Sequence, residues 1–377
     1  MPDFSFDRLR RYPDVEADNL FAVDASDRLI LDEAAEAISA AAPDEVVVLE
    51  DRYGALALGA AALGARGIRV HQDARSGELA LALNAADAGL SGTYRSLELG
   101  EELLSHARVV LLQLPRSLTA LDELAAAISR FASPDVVVFA GGRIKHMTMA
   151  MNEVFRRYFG EVSVSPARQK SRVLTANAPL EPGQSTSGSA WPRSVQHADL
   201  GLTVSAHGAA FAGTTIDIGT RFLLEFLDRM KPDAQVAIDL GCGTGVLAAA
   251  LARRRPQLRV TATDQSAAAV ASARATMAAN AIADRVTVVR DDALSNQPDA
   301  SAELILLNPP FHIGSSVHAG IALKLFEDAA RVLRPGGELW TVWNTHLGYR
   351  PALTRLVGPT HQVGRNAKFT VTVSTRR

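Results

Sequence analysis

The sequence predicts an α/β protein built as two tandem, doubly wound parallel sheets, each covered by helices on both faces. Three observations carry this. Short apolar strands alternate with helices through each half, the pattern of a parallel sheet buried on two sides. A stretch rich in Pro, Gly and Ser, NAPLEPGQSTSGSAWPRS (177–194), separates the halves. At 377 residues the chain exceeds one ordinary core, so two domains are expected. The expected division is 1–176, a linker at 177–198, and 199–377.

In the first half, EVVVLED (45–51) reads as a strand, followed by an Ala/Leu helix at 53–65. IRVHQD (68–73) and ARVVLLQL (107–114) are further strands. SLTALDELAAAISRF (117–131) is a helix, DVVVFAGG (135–142) a strand and AMNEVFRRYFG (150–160) a helix. In the second half, VAIDL (236–240) is a strand and GVLAAALARRR (245–255) a helix. RVTATD (259–264) leads into the alanine-rich helix 266–281. RVTVVRDD (285–292), AELILLN (302–308), GELWTVWN (337–344) and KFTVTVST (368–375) are strands, with a helix near 318–333. Set side by side, VVVLEDRYGALA stands where VAIDLGCGTGVLA stands, and VVLLQLPR stands where ILLNPPF stands. Duplication is the reading favoured over a chance likeness of apolar strands.

The apolar fraction, 47%, suits a globular protein, and no apolar run reaches the length of a membrane span. The charged start, MPDFSFDRLRRYPD, lacks a signal-peptide pattern, and Cys242 is the lone cysteine, so a cytoplasmic protein is expected. Residues 1–200 carry 20 Lys+Arg against 27 Asp+Glu, whereas 201–377 carry 19 against 14. Beyond Thr341 there are six basic residues, Arg365 and Lys368 among them, and no acid. This is either a phosphate-facing surface or a basic solvated face.

DLGCGTG (239–245) is the most informative stretch. Asp239 stands in the strand, and Gly241, Gly243 and Gly245 follow at spacing two. Glycines let the backbone turn tightly and approach a ligand, and the next helix aims its free N–H groups at the same spot. Asp264, about 20 residues on, is placed to accept ribose hydroxyls. The third glycine comes one position too early for a nicotinamide fingerprint, and a P-loop lysine is missing. G-x-G-x-G after an acid-bearing strand resembles the first motif of class I S-adenosylmethionine-dependent methyltransferases. That resemblance implies a Rossmann-like fold and a cofactor set of Asp239, Gly241, Gly243, Thr244, Gly245, Asp264, Asp292 and Asn308. Asp239 would lie near the methionine moiety. Either Asp291 or Asp292 could take the adenine amine, with Asp292 favoured. LRPGGEL (333–339) supplies the turn before the fifth strand. Cys242 reads as a small filler.

Asn308-Pro309-Pro310-Phe311 ends the fourth strand. The Asn308 oxygen and the Pro309 carbonyl can each accept one N–H of a planar exocyclic amine. A rigid Pro-Pro turn fixes that amine, which is catalysis by orientation and electrostatics. Phe311 offers a stacking face for a flipped base. His312 reads as a turn cap rather than a base.

The tetrapeptide with Phe, followed by HIG, most resembles the bacterial rRNA guanine-N2 methyltransferases with a methyltransferase small domain. FAGTTIDIGTRFLLEFL (211–227) resembles the segment preceding the family's first motif, through Asp217, Gly219 and Thr220. The resemblance implies a degenerate, glycine-poor N-terminal methyltransferase domain that binds RNA or serves structure. It implies S-adenosylmethionine as cofactor, no metal, and rRNA or a ribosomal subunit as partner, with a monomeric enzyme expected. Residues 143–174, with Arg168, Lys170 and Arg172, resemble the large-subunit branch. Tentative substrate contacts are Phe311, Arg365, Lys368 and Arg172. A protein glutamine-amide or RNA adenine-N6 methyltransferase, or a non-catalytic RNA-binding module, are the alternatives.

Overall fold

Each half of the chain builds a sheet, and the two sheets share one strand order. The computed structural model describes residues 4–181, 190–310 and 315–377. They form two units, Met1–Ala190 and Trp191–Arg377.

Unit 1 contains β1 (Val46–Leu49), β2 (Ile68–His71), β3 (Tyr94–Ser96), β4 (Val109–Gln113), β5 (Val137–Arg143), β6 (Phe159–Val164) and β7 (Ser171–Pro179). Its helices are α1 (Ala25–Ala40), α2 (Ala55–Ala62), α3 (Arg75–Asp87), α4 (Glu101–Leu104), α5 (Leu118–Phe131) and α6 (Met149–Arg156). The strand order is β3-β2-β1-β4-β5-β7-β6. The first five strands run parallel, and β7 is antiparallel to β5 and β6.

Unit 2 opens with a hairpin, β8 (Arg193–His197) and β9 (Leu202–Ala206). Then come α7 (Ile218–Leu224), β10 (Val236–Leu240), α8 (Val246–Arg254), β11 (Arg259–Asp264), α9 (Ala267–Ala279), β12 (Val286–Arg290) and β13 (Ala302–Leu307). The unit finishes with α10 (Ser315–Val332), β14 (Leu333–Asn344), α11 (Arg350–Leu356), β15 (Thr360–Arg365) and β16 (Phe369–Thr375). Its order is β12-β11-β10-β13-β14-β16-β15, the same path as in unit 1. The last two strands of each unit form an antiparallel hairpin that closes one side of the sheet.

Alternation along the central strands explains the burial. Val46 and Val48 enter one core of unit 1, and Val47 and Leu49 enter the other. In unit 2, Leu304 and Leu306 face one core, and Ile305 and Leu307 face the other. Both sheets are therefore buried on two faces, as continuous apolar strands require.

The structure adds elements that the sequence pattern hid. Helix α1 begins at a capping box in which Asp24 accepts from the third helical residue while Asp27 accepts from the backbone N–H of Asp24. Strand β9 lies along a polar stripe of α9. Thr276 and Ser272 accept the backbone N–H groups of Ser205 and His207 at 3.0 and 2.9 Å, and Asn280 brackets Thr203. The stretch LRPGG is a bulged strand start rather than a free turn, with pairing slipping between Ala302↔Leu333 and Leu304↔Glu338. Regular structure also enters the stretch 177–198 from both sides, through β7 and β8.

Candidate active site

The carboxyl ends of β10, β11 and β13 assemble the residues singled out above. Past β10 the chain turns back through Gly241 and Cys242, whose N–H groups both donate to the Thr263 carbonyl, at 2.8 and 2.9 Å. Gly241 and Gly243 have φ of +69° and +54°, and a Cβ on either would meet nothing within 4 Å. Their need for glycine is the backbone conformation, and the space beside them is open. Gly245 differs. It caps α8 at φ +79°, and a Cβ there would stand 2.7 Å from Met277 Cε and 3.1 Å from Ala273 Cβ. Thr244 and Cys242 are buried in the loop, and burial, with Asp264 and Asp239 nearby, pushes the Cys242 thiol well up.

Three acids frame the loop. Asp239 is 1% exposed; its Oδ2 accepts the Ala248 N–H at 2.9 Å, and its Oδ1 is buried without a partner. Burial, reinforced by Asp264, pushes its pKa up to about 7, against the pull of the Ala248 bond. Asp264 accepts from Gly243 N at 2.9 Å and from Ser266 N at 3.0 Å, so it braces the glycine loop. Asp291 is buried and bound within its own turn by Ser295 and Asn296. Asp292 pairs with Lys324 at 2.6 Å.

Asn308 follows directly on β13. Its Nδ2 donates to Asp217 Oδ2 and to Thr220 Oγ1, both at 3.0 Å. Its Oδ1 is buried with no partner. A carboxylate can only accept, so this pair of contacts sets which way the amide faces. Asp217 also caps α7, accepting from Gly219 N at 2.8 Å and Thr220 N at 3.2 Å. Pro309 is buried and Pro310 exposed. Phe311 and His312 lie outside the described residues.

The methyltransferase small domain profile matches residues 201–373, and an RLMG N-terminal domain profile matches residues 2–180. The chain is 36% identical to the ribosomal RNA large subunit methyltransferase G of Streptomyces avermitilis, covering 96% of this chain and 95% of that protein. Likeness to the enzyme of the same name from Pseudomonas putida is also 36%, over 96% of each. The chain belongs to the ribosomal RNA large subunit methyltransferase G family. In fold it resembles the T. thermophilus 16S rRNA N2 G1207 methyltransferase solved with AdoMet and guanosine. The TM-score is 0.70 at 21% identity, over 96% of this chain and 97% of that one.

In this member of the methyltransferase G family, the residues at the loop fit S-adenosylmethionine. Open space lies beside Gly241 and Gly243, and the orphaned Oδ1 of Asp239 is an acceptor with no protein donor. The hairpin tip between β15 and β16 brings Arg365 and Lys368 to the end of β14, where Thr345 N donates to the Lys368 carbonyl at 2.9 Å. Both side chains are exposed. Phe369 lies next to Gly219: a Cβ there would stand 3.2 Å from its Cε1 and 3.4 Å from Asn308 Oδ1. Arg172 belongs to unit 1 and is exposed on β7. The residues that pattern reading left without a role are Asp217 and Thr220. Their spacing from Asn308, 91 and 88 residues, gives no local signal. Among the described residues no group of His, Cys, Asp and Glu is placed to hold a metal ion.

Proposed function

We propose that the chain methylates the exocyclic N2 amine of a guanine in large-subunit ribosomal RNA. The observation that carries this is Asn308, an amide whose donor end is tied down and whose buried oxygen is left for a ligand. S-adenosylmethionine, when bound, supplies an electrophilic methyl group. Gly241, Gly243, Thr244 and Gly245 give it a close backbone approach. Asp264 takes its ribose hydroxyls, Asp292 its adenine amine and Asp239 its methionine end. Asp291 has both oxygens bound within its own turn, whereas Asp292 binds Lys324 through Oδ2, which leaves its Oδ1 and supports Asp292 for the adenine contact.

A guanine amine is a weak nucleophile because its lone pair is delocalised into the ring. Asn308 Oδ1 and the Pro309 carbonyl accept its two N–H groups and favour the pyramidal nitrogen of the transition state. The Pro309-Pro310 turn keeps those acceptors fixed. The proton leaves after transfer, so no strong base is needed. Phe311 stacks on the flipped base, and Arg365, Lys368 and Arg172 meet RNA phosphate. Residues 199–377 form the catalytic part and 1–176 the degenerate one. No helix among the described residues is long and apolar enough to cross a membrane. The reading is of a cytoplasmic monomer acting on rRNA or an assembling subunit.

Nucleoside mass mapping of both rRNAs from a deletion strain tests this. One N2-methylguanine should vanish from the large-subunit rRNA and return with the wild-type gene. An unchanged large-subunit digest would overturn the reading.

A further inference from the structure

A second asparagine stands near the methyl-transfer residues with no structural task. Asn344 ends β14 and opens a short 3-10 turn, Thr345–Leu347. Asparagine is a favoured cap at the start of a helical turn, yet this side chain accepts no cap hydrogen bond. Its Oδ1 is buried without a partner, as is that of Asn308. A buried acceptor without a donor destabilises a fold, so one kept beside a reacting centre points to a donor that arrives with the ligand.

Register and alternation bring the two amides together. β13 and β14 run parallel with Leu307 opposite Thr341, so Asn344 stands two residues beyond the level of Asn308 on the neighbouring strand. Leu306 on β13 and Trp340 and Val342 on β14 enter the core that holds Leu223 of α7. Side chains alternate along a strand, so Asn308 and Asn344 project to that same face. Across the antiparallel pair Asn344 lies opposite Phe369, which puts their Cβ atoms about 5 Å apart. The Phe369 ring in turn borders Asn308: a Cβ on Gly219 would stand 3.2 Å from Phe369 Cε1 and 3.4 Å from Asn308 Oδ1. Asn308, Phe369 and Asn344 therefore surround one spot at the carboxyl end of the sheet. Unit 1 keeps the frame and lacks the groups. There Arg143 ends the fifth strand, opposite Ser171.

The base that presents its amine to Asn308 and Pro309 also presents the rest of its edge. In guanine the atom next to the N2 amine is N1, which carries a proton, and beyond it comes O6, an acceptor. An asparagine amide sets an acceptor and a donor side by side, the complement of N1–H and O6. Adenine offers only a bare ring nitrogen beside its amine, which gives Asn344 Oδ1 no donor. We propose that Asn344 is the residue that selects guanine, its Oδ1 accepting N1–H and its Nδ2 donating to O6. The proposal rests on the guanine-N2 reading above and adds to it what separates guanine from adenine. Flipped bases are read in this manner, through hydrogen bonds to the Watson–Crick edge beside an aromatic side chain. A site built to hydrogen-bond its substrate rejects an analogue that leaves its buried groups unpaired.

The test compares ribosides on the full-length chain saturated with S-adenosylhomocysteine, ranked by ligand-observed NMR. Inosine keeps N1–H and O6 and lacks the 2-amine; 2-aminopurine riboside keeps the amine and lacks N1–H and O6. The parent should prefer guanosine to each by about tenfold. Asn344→Ala should bring the guanosine to 2-aminopurine riboside ratio close to one and leave the guanosine to inosine ratio unchanged. Asn308→Ala should do the reverse. On deproteinised large-subunit rRNA from the deletion strain, Asn344→Ala should lower kcat/KM about thirtyfold, the worth of two hydrogen bonds, with cofactor affinity within about twofold. A folded Asn344→Ala that keeps the parent's preference for guanosine over 2-aminopurine riboside would overturn the assignment. So would a kcat/KM within twofold of the parent, whatever the ribosides show. A parent that does not separate guanosine from inosine, or does not methylate the rRNA, would instead sink the guanine-N2 reading. If Asn344→Ala does not fold, Asn344→Asp is read in its place. It keeps the shape and the acceptor but sets an oxygen against O6, so it should lose guanosine as fully.

Discussion

Asp51 and Cys242 occupy the same place in their sheets, two residues past the first strand, and the contrast between them divides the two units. In unit 2 the tie to the following helix comes from inside the strand. Asp239 holds Ala248 with one oxygen and leaves the other unpartnered. In unit 1 Val48 stands in place of Asp239, and Asp51 makes the tie with both oxygens, to Gly54 at 3.1 Å and Ala57 at 2.8 Å. The space that stays open beside Gly241 and Gly243 has a different fate in unit 1. Tyr53 lies under the Arg11 guanidinium at 4.6 Å and donates to Asp14 at 2.5 Å, and Asn84 holds the carbonyls of Tyr53 and Arg10. The same holds at the fourth strand. Gln113 sits at the position of Asn308 and donates to Ser26 at 2.8 Å, where Asn308 has Asp217 and Thr220. An N-cap acid, a helix and an inward amide thus belong to the architecture of both units. The glycine pair, the spare Asp239 oxygen and the Pro-Pro turn belong to one, and these are what transfer chemistry requires.

Replacing the two amides gives the widest expected separation. Asn308→Ala should lower kcat by about two to three orders of magnitude, the scale for losing one preorganised polar group at a reacting centre. Cofactor affinity should stay within a few-fold. Gln113→Ala should leave kcat within about twofold, since the amide there only joins Ser26, and cost roughly 1 kcal/mol of stability. Single-turnover methyl incorporation, calorimetry and thermal melts read these three quantities. Near-normal turnover by Asn308→Ala would sink the amine-orienting role.

The groups behind the amides should give a smaller contrast. Thr220→Val removes one fixed acceptor from Asn308 Nδ2, and Asp217→Asn weakens the other from a carboxylate to a neutral amide oxygen while keeping the cap of α7. Each should lower kcat about tenfold, near the worth of one hydrogen bond at 1.4 kcal/mol per decade, with the KM for rRNA and the melting temperature little changed. Ser26→Ala, the matching change in unit 1, should shift only the melting temperature. If Thr220→Val lowers stability and leaves kcat intact, Thr220 serves the fold and not the orientation of Asn308.

The comparison also shows what pattern reading can reach. VAIDL and RVTATD became β10 and β11 with the expected ends, because buried parallel strands are continuous apolar runs. Helix α3 escaped because alanine and leucine are spread around it, leaving no single apolar stripe to give a period. Strand β8 escaped because its residues are mostly exposed and polar. The loop and the Asn308 turn were legible as local motifs. The link from Asn308 to Asp217 was not, since it spans 91 residues. One signal did exist. Asp24-Ala25-Ser26-Asp27-Arg28 echoes Asp217-Ile218-Gly219-Thr220-Arg221, and both open a helix. Without α1 in the reading, the first copy had no frame.

The smallest expected effect concerns the spare oxygen of Asp239. Burial raises its pKa to about 7 in the folded chain, far above that of an exposed aspartate. The folded state therefore holds this proton more tightly than the unfolded state. The resulting stability is fully present below the unfolded pKa and is lost as pH rises through about 7. Asp239→Asn keeps an acceptor for Ala248 but has no proton to lose. Its stability relative to the parent, both without cofactor, should therefore improve by about 3 kcal/mol between pH 5 and pH 8. Asp51, also raised by burial, uses both oxygens to accept the Gly54 and Ala57 N–H groups, so Asp51→Asn exchanges one of those acceptors for an NH2 and should gain less. Denaturant melts of the two variants across that range read the difference. A flat profile for Asp239→Asn would mean that the carboxylate is already satisfied in the folded chain. In that case its oxygen is not held in reserve for a ligand.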